Sequence, residues 1–227
     1  MLEEPELDAA RLTLDRALVK TLAARIASGP VASPDAEAIA LRLALAEIGS
    51  ADVATLQAVW GRIAVRTGPA LVVAGSDARL LAADRFGLSF RIAGDSDAAL
   101  NDATAGARAL IDLGGARPWW GKLLARPELR IVAALPDDRH GVPRALMVST
   151  EQPGPTGDDR TFWVTDSALS DTRIVDALTA SGLAARALAT TGGLKLFALA
   201  GYVQAEDGRL SAAPGALRGV IGAAPLF

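Results

Sequence analysis

The sequence contains no cysteine and only one histidine, and aromatic residues make up 4% of its 227 positions. Without cysteine there is no disulfide framework, no thiolate metal site and no cysteine nucleophile. The single imidazole, His140, sits in the polar stretch PDDRHG, which reads as a solvated turn rather than the seat of a general base. Scarce aromatics mean a core built from Ala, Leu, Val and Ile, with Trp60, Trp119, Trp120 and Trp163 as core or interface anchors. Long hydrophobic runs are also missing. The best of them, LKLFALAGYV, is about half of what a bilayer demands and is interrupted by Lys195 and Gly201, so no membrane span is expected. The opening MLEEPELDAARL has no basic segment followed by an apolar one, which argues against a signal peptide and for a cytoplasmic protein. Net charge is −3, with no basic stripe interleaved with aromatics, so nucleic acid is not an expected partner.

What is present is periodicity. Leu7, Leu14, Leu18, Leu22 and Ile26 recur at helical spacing between Glu6 and Ser28, and Gly29-Pro30 ends that helix. Ser33-Pro34-Asp35 combines an N-cap, a proline tolerated at the first helical position and an acid favoured by the helix dipole, opening a second helix that runs to Glu47. Gly49 stops it, Ser50 caps a third helix through Val59 and Ile63, and Gly68-Pro69 terminates that one. From Pro69 onward LVVA, LSFRI, ARALIDL, LRIVAAL and RALMVS alternate with helical segments such as SDARLLAADRF, the pattern of a mostly parallel sheet with crossover helices. EQPGPTGDD is the natural linker. Beyond it TFWVT, a helix over Asp171 to Ser181, ARALAT, LKLFALAGYV, a helical or irregular stretch near Leu210 and GVIGA run in the order βαββαβ, which suggests a ferredoxin-like unit.

This order of segments, together with LDRALVKTLAAR, SPDAEAIALRL, LVVAGSDARLLAADRFG and ARALATTGGLKLFALAGYV, resembles the fused chorismate mutase and prephenate dehydratase family with its ACT domain. The resemblance implies an α/β (α+β) chain in three parts. Residues 1–68 are a helical hairpin plus one further helix; 69–152 are a truncated α/β unit like one lobe of a periplasmic-binding-protein-like fold; 160–227 are an ACT-like βαββαβ unit. It assigns Arg25 to a substrate carboxylate and matches Glu37 to the acid of an Arg-Glu pair whose arginine is replaced by Ala36. Asp8 stands where the family has another arginine, with Arg11 one turn away. The family's Thr-Arg-Phe is matched by Pro143-Arg144-Ala145, and Ala189 to Gly192 stand in place of its effector motif.

So many missing charges lead to the expectation of a non-catalytic relative that acts as a scaffold, regulatory subunit or small-anion binder. The alternatives are an active chorismate mutase with a rearranged cationic pocket, which needs several converging cations, and a structural protein from another pathway. The catalytic candidates are Arg25 and Glu37. The ligand-binding candidates are Arg11, Arg25, Arg62, Arg66, and Gly75 with Ser76 at a helix N-terminus. Each has a structural reading beside it: Arg25 as partner of a helix C-terminus, Glu37 of a helix N-terminus, and Arg62 with Arg66 as a solvated face. Asp137 and Asp138 read as a charged loop, so neither metal nor cofactor is expected. The expected partners are a small carboxylate, and a second copy or another protein.

Overall fold

The computed structural model describes residues 8–30, 33–48, 53–115 and 117–227. The expected helix start at Glu6, the stop at Gly49 and the cap at Ser50 lie outside them. Three helices come first: α1 (Ala9–Ala27), α2 (Pro34–Ile48) and α3 (Val53–Thr67). Ser33 caps α2 by accepting a hydrogen bond from the Ala36 amide at 3.2 Å. Leu41, Ala44, Leu56 and Trp60 are buried where the three helices pack together.

The strands are β1 (Leu71–Ala74), β2 (Arg91–Ile92), β3 (Arg108–Asp112), β4 (Arg130–Leu135), β5 (Ala145–Ser149), β6 (Asp159–Thr165), β7 (Ala185–Thr191), β8 (Leu194–Ala200) and β9 (Arg218–Pro225). Helices α4 (Ser76–Phe86) and α5 (Ser96–Thr104) follow β1 and β2, and α6 (Asp171–Ala180) joins β6 to β7. All nine strands belong to one sheet in the order β2-β1-β3-β5-β4-β9-β6-β8-β7. The β1 pairings with β2 and β3 are parallel, as is β4 with β9; the other neighbours are antiparallel.

This sheet corrects the expected architecture. A helical segment followed by a separate single-lobe unit and a separate ferredoxin-like ACT unit is not what the chain builds, and the resemblance to the chorismate mutase and prephenate dehydratase family fails with it. Strands from before and after the EQPGPTGDD stretch are hydrogen-bonded into a continuous sheet through β4 and β9, which meet at Ile131 and Gly222. Gly222 makes that meeting possible. Its φ is +143°, and a Cβ there would lie 2.3 Å from the Ile131 amide nitrogen and 2.4 Å from its carbonyl oxygen. Alternation of apolar residues identifies a strand, but it carries no information about which strand lies beside it. Near Leu210 the chain makes one 3-10 turn, Gly208–Leu210, capped by Asp207, rather than a second helix of a βαββαβ unit.

The core lies on both faces of the sheet. One face carries Ile111, Ile131, Phe162 and Val164 beneath α5 and the 3-10 turn Trp119–Ala125, with Trp119 and Trp120 inserted. The other face packs Val73, Leu110 and Val132 against α4, and Trp163 and Phe197 against α6. All four tryptophans are buried, the expected use of rare large side chains in an alanine-rich core. Among the described residues no helix is long and apolar enough to cross a membrane.

Candidate functional site

Both catalytic candidates from the sequence are spent on each other. Arg25, 3% exposed, donates from Nε and Nη2 to the two oxygens of Glu37, each at 2.9 Å, and from Nη1 to the Gly29 carbonyl at 2.9 Å. The guanidinium therefore closes the C-terminal end of α1 and clamps α1 to α2 in a bidentate pair. Arg11, Arg62 and Arg66 are exposed, and none of them lines the cavity beside Arg25, a crevice bounded by Glu37, Thr67 and Arg108. The cations proposed for one pocket are thus not gathered there.

Gly75 and Ser76 lie at the mouth of a cleft of about 670 Å³ at the carboxyl ends of β1, β2 and β3, where open α/β sheets commonly bind ligands. Its four aspartates each already have a partner. Gly75 has no side chain to cap α4, and Asp112 does so from β3, accepting from the amides of Asp77 (3.2 Å) and Ala78. Asp95 caps α5, Asp97 pairs with Lys122, and Asp77 lies 3.6 Å from Arg144. The Trp119 indole donates to the Asp112 carbonyl at 2.6 Å. Asp112 thus occupies the helix terminus that an anion would use, and the four aspartates lining the cleft face a single lining arginine, Arg117. Among the described residues no group of three or more His, Asp or Glu converges as a metal site.

A different cleft, of about 310 Å³, opens where β6 begins, β8 ends and β7 begins. Arg160 on β6 pairs with Ala224 of β9, and Arg186 on β7 lies opposite Ala198 of β8. Ala198 and Ala200 are small, and the space they leave is walled by Leu188, Leu199 and the Arg139–Pro143 loop. Arg160 is 9% exposed; its Nη2 donates to the Gly141 carbonyl at 3.2 Å, while its Nη1 is buried with no acceptor. Burial pushes the Arg160 pKa below the usual arginine value; the nearby Arg186 charge lowers it further, while Asp138 and Asp158 act against the shift. Arg186 itself makes no ion pair among the described residues. The third cation, Arg139, pairs with Asp158 at 2.6 Å. Asp159 is consumed locally, accepting from the Thr156 amide (2.8 Å) and hydroxyl (2.5 Å) and from the Gly157 amide (3.2 Å).

Sequence reasoning passed over these arginines. Arg160 directly follows the stretch taken as a linker, and Arg186 lies in an alanine-rich strand. The available signal was a cation inside or abutting an apolar strand, where a charge needs a partner that local sequence does not supply.

No known protein-family profile matches the chain, and no curated protein matches it. Among solved structures, one described as GqqA, a novel type of quorum quenching acylase, is 17% identical over 69% of this chain and 95% of the other, with a TM-score of 0.45. A likeness that low carries no argument about fold or chemistry. The resemblance to the chorismate mutase and prephenate dehydratase family therefore finds no support in these comparisons either.

Proposed function

We propose that the protein is a non-catalytic binder of a small anion, such as a carboxylate or phosphate, held in the cleft between Arg160 and Arg186. The observation that carries this reading is that two arginines line one cleft, Arg160, whose buried Nη1 has no acceptor, and Arg186, which makes no ion pair among the described residues. Burying an unpaired donor of a charged group costs about 1–3 kcal/mol or more, and an anion removes that cost while relieving the repulsion between the two guanidiniums. Carboxylates and phosphates match the planar donor fork of arginine.

The non-catalytic part of the reading rests on what lines the cleft. There is no Ser, Thr, Tyr, His or Lys among those residues, and the two acids present, Asp158 and Asp159, are held by Arg139 and by the Thr156–Gly157 turn. Nucleophilic and acid-base catalysis both require a group free to accept or give a proton. The wall of Leu188, Leu199 and Leu226 favours an anion with an apolar body over a bare ion.

Calorimetry at low ionic strength with inorganic phosphate and with butanoate tests the proposal. Saturable binding is expected for the wild type, weakened about tenfold or more, equivalent to at least about 1.4 kcal/mol, in Arg186→Ala, whose exposed position leaves the fold intact. Absence of saturable heat with both probes, or equal affinity in the variant, overturns the reading.

A further inference from the structure

The two ends of the sheet differ. At one end β2 is two residues long; at the other β7 runs for seven, with β8 on one side and, among the described residues, no strand on the other. None of its residues is fully buried. The Ala184 carbonyl accepts from the Ala200 amide at 2.9 Å, so the backbone of Ala184 and, by alternation, that of Arg186 is turned towards β8. The N–H and C=O groups of Ala185 and Ala187 are therefore turned outward. A bulge between Ala187 and Ala189 breaks this rhythm, which leaves residues 184–187 as the regular part of the free edge.

An extended chain laid antiparallel along that edge would bond to Ala185 and Ala187 and place one of its residues directly opposite Arg186. That position is a non-hydrogen-bonded pair, the kind in which side chains come closest, with Cα atoms about 4.5 Å apart. Arg186 is exposed, lines the arginine cleft and makes no ion pair among the described residues. Opposite charges across such a pair stabilise the pairing, and like charges oppose it. A second copy pairing through β7 does not meet this demand, because from Ser181 to Gly193 the one charged residue is Arg186. Self-pairing centred on it sets guanidinium against guanidinium, and centring one residue to either side offers it alanine or leucine.

The volume of the cleft bears on what else the added strand carries. An apolar cavity of about 150 Å³ accepts benzene, so about 310 Å³ holds about twelve heavy atoms on that scale. A glutamate side chain and a valine or leucine side chain two residues along, which shares its face, bring about eight or nine.

We propose that the free edge of β7 receives an extended acidic peptide segment as an added antiparallel strand, with a carboxylate side chain opposite Arg186 and an apolar side chain two positions away against Leu188. Main-chain bonds to Ala185 and Ala187 supply affinity, and the cleft selects the side chains. This goes beyond the small-anion reading and shares only Arg186 and the cleft with it.

The probe is the capped peptide acetyl-Val-Thr-Glu-Thr-Val-amide, whose only charge is the glutamate, titrated into the full-length ¹⁵N-labelled protein. Saturable shifts of the Ala185 and Ala187 amides are expected, larger than those of amides in β1 or β3. Replacing the peptide's glutamate by glutamine, or Arg186→Ala in the protein, is expected to weaken binding about fivefold. N-methylation of both threonines, which removes the main-chain donors, is expected to abolish it. The peptide controls need no protein variant to fold. Absence of a saturable shift, or equal binding of the glutamine or N-methylated peptide, overturns the proposal. So does a concentration-dependent self-association of the free protein that moves the same two amides, since the edge then belongs to a second copy. Binding of butanoate without binding of the peptide overturns this proposal and leaves the small-anion reading standing.

Discussion

At the scale of single residues, the determining fact is which charges find partners. Arg25 and Glu37 satisfy each other, and Arg25 also takes up the Gly29 carbonyl just beyond the end of α1. Asp137 shows what burial does to a carboxylate. Desolvation pushes its pKa above the ordinary value of 3.8, and its partner Arg85 acts against that shift. Folding thus raises the proton affinity of Asp137, so protonation favours the folded state. Its contribution to stability falls as pH rises from about 3.8 through the raised pKa and is lowest at neutral pH. Asp35 is shifted in the same direction, chiefly by burial. The fall in Tm between pH 4.5 and pH 7 is expected to be smaller in Asp137→Asn than in the wild type. An identical pH profile in the two proteins would contradict this assignment.

Between elements, glycines decide how closely backbones approach. At Gly222 the strands β4 and β9 come so near that a methyl group would overlap the Ile131 backbone, and the positive φ disfavours any side chain there. Gly222→Ala is therefore expected to destabilise the fold by about 3 kcal/mol, combining strain at a disfavoured φ with overpacking. The loss should concentrate at this seam, so hydrogen exchange of the Ile131 and Gly222 amides should quicken more than that of amides in β1 or β3. Uniform quickening across the sheet would show that β4 and β9 do not open separately. The same logic explains α4, whose N-terminal Gly75 brings no capping side chain and leaves the task to Asp112 on another strand.

Across the whole molecule, Arg42 connects segments distant in sequence. From α2 it donates to the carbonyls of Leu226 (3.0 Å), Thr156 (2.6 Å) and Asp158 (2.6 Å) and to the Thr156 hydroxyl (2.8 Å), and it lies over the Phe227 ring at 5.5 Å. The helical segment, the Gly- and Pro-rich stretch and the chain end are held by one guanidinium. Arg42→Met keeps much of the stem while removing every donor. It is expected to cost about 2–4 kcal/mol in denaturant unfolding and to speed exchange at the Leu226 and Phe227 amides. Unchanged exchange at the chain end would show that Arg42 does not anchor it.

Much of the local structure was legible in the sequence. Helix ends at Gly29-Pro30, Ser33-Pro34 and Gly68-Pro69 follow from backbone constraints that act within a few residues. The use of the tryptophans as core anchors follows from how few large side chains there are. The strand segments themselves also followed from composition and period. Strand partnership did not, because the contact of Ile131 with Gly222 joins residues about 90 positions apart. The separate ferredoxin-like unit was a misreading for that reason. The candidate site was hidden in the same way: Arg160 and Arg186 become one cleft only when β8 is laid between β6 and β7. By itself the sequence determined where the backbone can turn, cap and alternate, since those preferences are local. Only the tertiary structure decided which charges are paired and which are left facing a cavity, since electrostatic and hydrogen-bond satisfaction depends on distances that folding alone sets.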